Sequence, residues 1–211
     1  MTCCGPSGHC DQTTCVIENE CAWKGIQLST EEFWRGEFGD EYTKRNRVDW
    51  RARIPFWTHI INKTGARSVV EFGCNAGWNL SAIKRAYSDV QCAGIEINEI
   101  AAIQAVAAGH VIGRTFGEAS SELVFTSGVL IHIEPEELIS TMELIVDSSC
   151  DYILAVEYEA DEETEVEYRG HSGKLWKRPY GKLYQDMGLA LVETGNAEGF
   201  DNCTYWLLRK P

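Results

Sequence analysis

The 211-residue chain has no apolar run of the roughly 18 residues that a membrane span needs. Its first residues lack the apolar stretch of a signal peptide, so the cytoplasm is the expected compartment. Positive charge is scarce, with 19 Lys and Arg against 32 Asp and Glu, a net charge of −13. A general nucleic-acid binder needs a broad basic face, and this composition does not supply one. There is no internal repeat, no low-complexity tract and only five prolines. With charged residues at 24% and hydrophobic residues at 44%, the acidity is an imbalance within an ordinary globular composition. The length suits one domain with a sizeable core.

Cysteine is not scarce, but its spacing excludes the usual metal signature. Five of the nine cysteines (Cys3, Cys4, Cys10, Cys15, Cys21) crowd the N-terminus, yet no Cys-x-x-Cys pair occurs. No metal site is assigned. Residues 1–28, rich in Gly, Ser, Thr and Asp, are read as a cysteine-rich extension. Cys74, Cys92, Cys150 and Cys203 lie in apolar segments and are read as small buried hydrophobes.

From Ser29 the pattern becomes regular. Ser29 caps a helix whose first turn holds Glu31 and Glu32. A second helical stretch is predicted from about Asp40 to Asn62, kinked or restarted at Pro55. Strands are then predicted at 68–72, 91–97, 111–114, within 123–133, at 151–158, 189–194 and 203–209. Helices are predicted at 79–87, 99–108, 135–146 and 181–187. This alternation predicts an α/β fold: a Rossmann-like, doubly wound, seven-stranded sheet, mostly parallel, ending in an antiparallel C-terminal hairpin. The domain is expected over 29–211, with a helical cover at 29–66 and the core at 67–211.

The sharpest local signal joins the first strand to the next helix through Glu71-Phe-Gly73-Cys-Asn75-Ala-Gly77-Trp-Asn79. Gly73 lets the chain leave the strand tightly, and Gly77 is expected to allow close approach of a ligand. Asn75 occupies the middle glycine position of a dinucleotide loop, and no Gly-Lys-Ser/Thr follows, so a phosphate cradle is a poor match. The carboxylate of Glu71 at the strand tip suits a cationic amino group and repels phosphate. The second strand ends in Glu96-Ile97, and Glu96 lies nineteen residues past Gly77, a distance suited to accepting ribose hydroxyls. A ligand with a ribose, a cationic head and no phosphate is S-adenosyl-L-methionine. Asn75, Asn79 and Ile97, with Ser127 and Gly128 at the fourth strand's end, are further cofactor candidates.

With these residues the chain resembles the class I S-adenosylmethionine-dependent methyltransferases. More closely it resembles the pseudaminic acid biosynthesis-associated methylases, from about Glu32 onward. The blocks that carry this resemblance are 33–46 (FWRGEFGDEYTKRN), 71–80 (EFGCNAGWNL), 127–138 (SGVLIHIEPEEL) and 165–181 (EVEYRGHSGKLWKRPYG). The resemblance implies a Rossmann-like fold with Glu71, Gly73 and Gly77 at the methionine part and Glu96 at the ribose. It also implies Tyr42, Arg45 and Asn46 in a cover over the cofactor, and an adenine-facing acid after the third strand, here Glu118. The chain departs from the family at Pro179, where an Asp is expected in relatives.

Charge is sharply segregated toward the C-terminal half. Residues 157–167 carry seven acids and no base, and 169–182 carry five bases and no acid. Arg169, Lys174, Lys177 and Arg178, with Trp176 as a stacking ring, are the candidate contacts for a small anionic substrate. An acidic sugar or a sugar nucleotide would fit. A second basic cluster comprises Lys44, Arg45, Arg47, Arg51 and Arg53. Pairing of the acids and bases with each other is the plain alternative. His132 follows the fourth strand and is the candidate general base, with His171 and Tyr168 as second candidates. The fourth strand ends Thr126-Ser127-Gly128-Val129, not in the Asp/Asn-Pro-Pro-aromatic motif of DNA amino-methylating enzymes, and no Pro-Cys occurs. The activity expected is methyl transfer to a small metabolite. The alternatives are a non-catalytic cofactor binder and a nucleic-acid methyltransferase using the basic segments as a groove.

Overall fold

The computed structural model describes residues 29–115 and 121–211. The cysteine-rich segment and the Glu118 assignment lie outside the described residues.

The cover begins with α1 (Thr30–Arg35), closed by a capping box in which Ser29 Oγ accepts from Glu32 N at 3.2 Å. The Glu32 carboxylate accepts from Ser29 N in return at 3.0 Å. Such a cap contributes about 1 kcal/mol, enough to matter in a helix of six residues. The helical stretch expected from Asp40 to Asn62 does restart at Pro55, but it comprises three pieces: α2 (Glu37–Arg45), a 3-10 turn (Trp50–Arg53) and α3 (Ile54–Thr64). The interruption falls at residues 46–49, where the chain is irregular and Asp49 accepts from Arg51 N to start the turn. Pro55 sits in the first turn of α3, where its missing N–H costs nothing.

The core alternates β1 (Ser68–Phe72), α4 (Trp78–Ala86), β2 (Gln91–Ile95), α5 (Glu99–Ala107), β3 (Val111–Gly113), β4 (Ser121–Ser127), α6 (Pro135–Asp147) and β5 (Ser149–Glu157). A two-stranded flap, β6 (Thr164–Glu165) with β7 (Trp176–Lys177), interrupts this rhythm. Then follow α7 (Tyr180–Asp186), β8 (Ala190–Asn196) and β9 (Thr204–Arg209). The seven-stranded sheet has the order β3-β2-β1-β4-β5-β9-β8, parallel up to β5 and antiparallel in the C-terminal hairpin, as expected. The flap was not foreseen, because two-residue strands carry too little periodicity to read.

Both faces of the sheet are covered. Along β4 and β5, Leu123, Phe125, Leu154 and Val156 pack with Trp57, Ile60, Leu80 and Ile83 of α3 and α4. The alternate residues Val124, Ile153 and Ala155 pack with Met142, Ile145, Tyr180 and Tyr184 of α6 and α7. The period-2 pleat thus divides one apolar strand between two cores. The sheet order reverses direction between β1 and β4, and the loops after these strands open a cleft there, as doubly wound sheets do. Among the described residues no helix is long and apolar enough to cross a membrane.

Candidate functional site

The cleft encloses about 190 Å³ above the carboxyl ends of β1, β2 and β4. The cover roofs it with Thr30, Trp34, Gly39, Tyr42, Asn46, Val48 and Arg53. The core contributes Glu71, Gly73, Cys74, Asn75, Asn79, Glu96, Ile97, Asn98, Ser127, Gly128, Val129 and His132.

Glu71 closes the inner end. Its Oε1 accepts from Asn79 Nδ2 at 2.6 Å, and Asn79 Oδ1 accepts from Arg53 Nη1 at 2.9 Å. Its Oε2 is buried without a hydrogen-bond partner among the described residues. Burial pushes this carboxyl up to about 8, against the lowering effects of Asn79 and the Arg53 charge. An oxygen left open in a cleft is an invitation to a cationic donor.

Glu96 is organised differently. Its Oε2 accepts from Asn75 N and its Oε1 from Asn98 N, both at 2.7 Å. Burial raises this carboxyl too, and the backbone N–H groups counter the rise. Each oxygen keeps a further acceptor site for a hydroxyl. The same two asparagines tie the cover down. Asn75 Nδ2 donates to Thr43 Oγ1 at 3.2 Å, and Asn98 Nδ2 donates to Asp40 Oδ1 at 2.8 Å and to Trp34 O at 3.2 Å.

Two glycines shape the loop. Gly73 has φ 67°, and a Cβ there would lie 2.5 Å from a Val129 methyl, so the loops after β1 and β4 approach only because it is glycine. Gly77 has φ 76°, but a Cβ there would meet the His110 ring at 2.5 Å. Its smallness therefore serves packing against the chain's own His110, not the close approach of a ligand expected from the sequence.

At the β4 end, His132 is buried yet lines the cleft. Its Nδ1 lies 2.7 Å from Lys174 O, and a carbonyl only accepts, so Nδ1 carries the proton. Nε2 is then the unprotonated nitrogen, with no hydrogen-bond partner among the described residues. Burial holds the ring pKa down at about 4, so it is neutral at physiological pH. Trp34 and Tyr168 flank it, with ring centroids at 4.6 and 4.9 Å. Burial pushes the Tyr42 phenol up to about 12, which leaves it a donor.

The anion contacts expected in the basic segment are not brought to the cleft. Lys174 is buried, 2.9 Å from Glu134 Oε1 and over the Phe33 ring. Arg178 is buried, 2.7 Å from Glu163 Oε2. Trp176 is buried beside the Arg178 guanidinium, Lys177 lies over Tyr158, and Arg169 is exposed. Arg178 pairs with an acid of its own segment and Lys174 with Glu134 at the start of α6, so for these two bases pairing, the plain alternative raised by the charge pattern, is what the structure shows. His171 packs its ring on Phe33 and Phe38 at the exposed flap tip, and Tyr168 reaches the site only through its ring contacts. Arg45 lies on the outer side of the cover, over Phe38 and Tyr42. Among the described residues no group of three His, Cys, Asp or Glu could hold a metal.

Arg53, Trp34 and Asn98 are site residues that the sequence did not single out. Arg53 was one of five bases in a cluster, and only the 3-10 turn folding onto α4 distinguishes it. Asn98 did carry a signal as a helix N-cap: its Oδ1 accepts from Ala101 N at 3.0 Å.

No family model matches the chain, and no curated protein matches it. Solved structures do. A 1,6-didemethyltoxoflavin-N1-methyltransferase from Burkholderia thailandensis, with bound 1,6-didemethyltoxoflavin and S-adenosylhomocysteine, superposes with a TM-score of 0.68 at 15% identity. That match covers 87% of this chain and 91% of the other. A sugar N-methyltransferase from Streptoalloteichus gives 0.63 at 13% identity, covering 83% and 93%. A mitomycin 7-O-methyltransferase gives 0.65 at 12% identity, covering 87% of this chain; the chain spans 61% of that protein's length. The fold is that of the class I methyltransferases.

Proposed function

We propose that the protein is an S-adenosyl-L-methionine-dependent methyltransferase acting on a small molecule. The observation that carries this reading is one cleft holding two buried carboxylates at its β1–β2 side and a neutral histidine, Nε2 free, at its β4 side. S-adenosyl-L-methionine, when bound, supplies an electrophilic methyl group on a sulfonium centre. The donors and acceptors present suit it. Glu71 offers its open oxygen to an ammonium group, Arg53 offers a guanidinium to a carboxylate, and Glu96 offers two acceptor sites to ribose hydroxyls. Asn75 and Asn98 join the Glu96 site to the cover, so the same residues that hold the ribose also roof the cleft and exclude water. His132 Nε2 takes the proton from the acceptor's hydroxyl or amine.

For the acceptor we propose an anionic small metabolite such as an acidic sugar. Trp34 and Tyr42 offer ring faces for a sugar, and Arg47 stands exposed between the cleft-lining Asn46 and Val48. The resemblance to the pseudaminic acid-associated methylases and the fold likeness to a sugar N-methyltransferase support the same class. Calorimetric titration tests the cofactor, and no binding at millimolar S-adenosyl-L-methionine would overturn the proposal. Transfer of labelled methyl to acidic sugars, with neutral sugars and oligonucleotides as controls, tests the acceptor. Equal transfer to neutral sugars would remove the anionic requirement.

A further inference from the structure

The segment between β5 and α7 carries the most sharply segregated charge in the chain, yet none of its bases lines the cleft. What Arg178 touches gives it another task. Leaving β4, the chain turns at Gly128 (φ 66°) and forms a 3-10 turn, Leu130–His132, with no side-chain cap. A single 3-10 turn has poor hydrogen-bond geometry of its own and needs outside support.

That support comes from two buried charges. Glu157, the last residue of β5, accepts from Val129 N at 3.1 Å and from Leu130 N at 3.2 Å through the same oxygen. Arg178 Nη1 donates to Leu130 O at 3.1 Å. One residue, Leu130, is thus held at its N–H by a carboxylate and at its C=O by a guanidinium, so the two peptide units that flank it are both fixed; Glu157 and Arg178 are 0% and 1% exposed. Two residues further on, the ring of His132 donates to the backbone of Lys174, in the same flap as Arg178. Buried charges are expensive to desolvate, and apolar side chains of equal volume often stabilise a fold as well or better. Stability alone therefore does not account for them, whereas fixing a turn that carries a reacting group does.

We propose that Glu157 and Arg178 are positioning residues that clamp the backbone of Leu130 and thereby present Nε2 of His132 to the acceptor. Glu163, half exposed, holds Arg178 in place from the flap. One acid of the acid-rich half, Glu163, thus secures the base that grips the histidine turn. This rests on the reading of His132 as the proton acceptor, and the test separates the two.

The test uses the full chain with ¹⁵N-labelled histidine. Long-range proton–nitrogen spectra report the His132 tautomer, calorimetry reports S-adenosyl-L-methionine affinity, and methyl transfer gives kcat. Arg178→Met should convert His132 from the Nδ1–H tautomer to a mixture. It should also lower kcat about tenfold or more, with cofactor affinity within about twofold. Glu157→Gln keeps an acceptor oxygen and should retain most of the tautomer preference, whereas Glu157→Leu should not. If Arg178→Met fails to fold, Glu163→Gln and Arg178→Lys should move the same two readouts in the same direction by about threefold. Folded variants that keep both the Nδ1–H tautomer and wild-type kcat would overturn the proposal. Should His132→Ala keep full turnover while the Arg178 variants still shift the tautomer, the base reading falls and the clamp stands. Should His132→Ala abolish turnover while the tautomer ignores every clamp variant, the clamp falls and the base reading stands.

Discussion

At the β1–β2 side, the carboxylates of Glu71 and Glu96 line the cleft with acceptor capacity left over, whereas at the β4–β5 side Glu157 and Arg178 lie behind the cleft wall and bond the backbone of the turn after β4. Burial acts alike on both sides: it pushes Glu71 up to about 8 and Glu157 up to about 7. The difference lies in what surrounds each carboxylate. Each leaves one oxygen without a partner among the described residues, but Glu71 meets one amide and lines the cleft, while Glu157 takes two N–H groups of a turn through its other oxygen and does not line the cleft. A buried carboxylate thus lines the cleft on one side and is a strut on the other. The cleft presents carboxylates on its β1–β2 side and the rings of Trp34 and His132 on its β4 side.

The largest effect expected is on the acceptor side. His132→Ala should lower kcat by about a hundredfold or more, the usual contribution of a general base, with cofactor affinity unchanged in calorimetry. A parallel loss of affinity would erase the division between the two sides. Next, Glu71→Ala and Glu96→Ala should each weaken cofactor binding by about ten- to a hundredfold, in line with roughly 1.5–3 kcal/mol for a hydrogen bond to a charged group. A kcat measured at saturating cofactor should fall far less.

A pH series sharpens the contrast further. Below about 8 the Glu71 carboxyl holds a proton, which it must release to face an ammonium group. Cofactor affinity should therefore rise from pH 6 to pH 8, by up to about tenfold per unit, and Glu71→Gln should flatten that rise. His132, held at about 4, is already neutral across this range, so kcat should show no acid limb between pH 6 and 8. A limb near 6.5 would place the ring in water. The smallest effect concerns the flap surface. Lys177→Ala and Arg169→Ala, which do not line the cleft, should change kcat and cofactor affinity by less than about twofold.

Much of the cofactor half was legible in the sequence. Glu71, Gly73, Asn75, Asn79, Glu96 and Ile97 lie within one strand–loop–helix–strand unit, whose local rules place a strand tip and the next strand's end side by side. The acceptor half was less so. His132 was legible because it follows β4 directly. Lys174 and Arg178 read as free bases because their partners, Glu134 and Glu163, are 40 and 15 residues away and meet them only after the flap closes. Gly77 was legible as a point of close approach, but what it makes room for was not, since His110 arrives from beyond β2 and α5. The break at residues 46–49 escaped because aromatic residues continue on both sides of it.

The sequence by itself determined the order of elements, the doubly wound sheet with its antiparallel end, the loop glycines and the two acids above it. Each of these follows from hydrophobic period, turn chemistry and short-range spacing, which act between near neighbours. Only the tertiary structure decided which charges face the cleft. That choice depends on which groups are desolvated together, and burial brings together residues from β4, β5 and the flap that are far apart along the chain. The net charge of −13 gave the average, and the fold turned Lys174 and Arg178 inward onto Glu134, Glu163 and the Leu130 carbonyl.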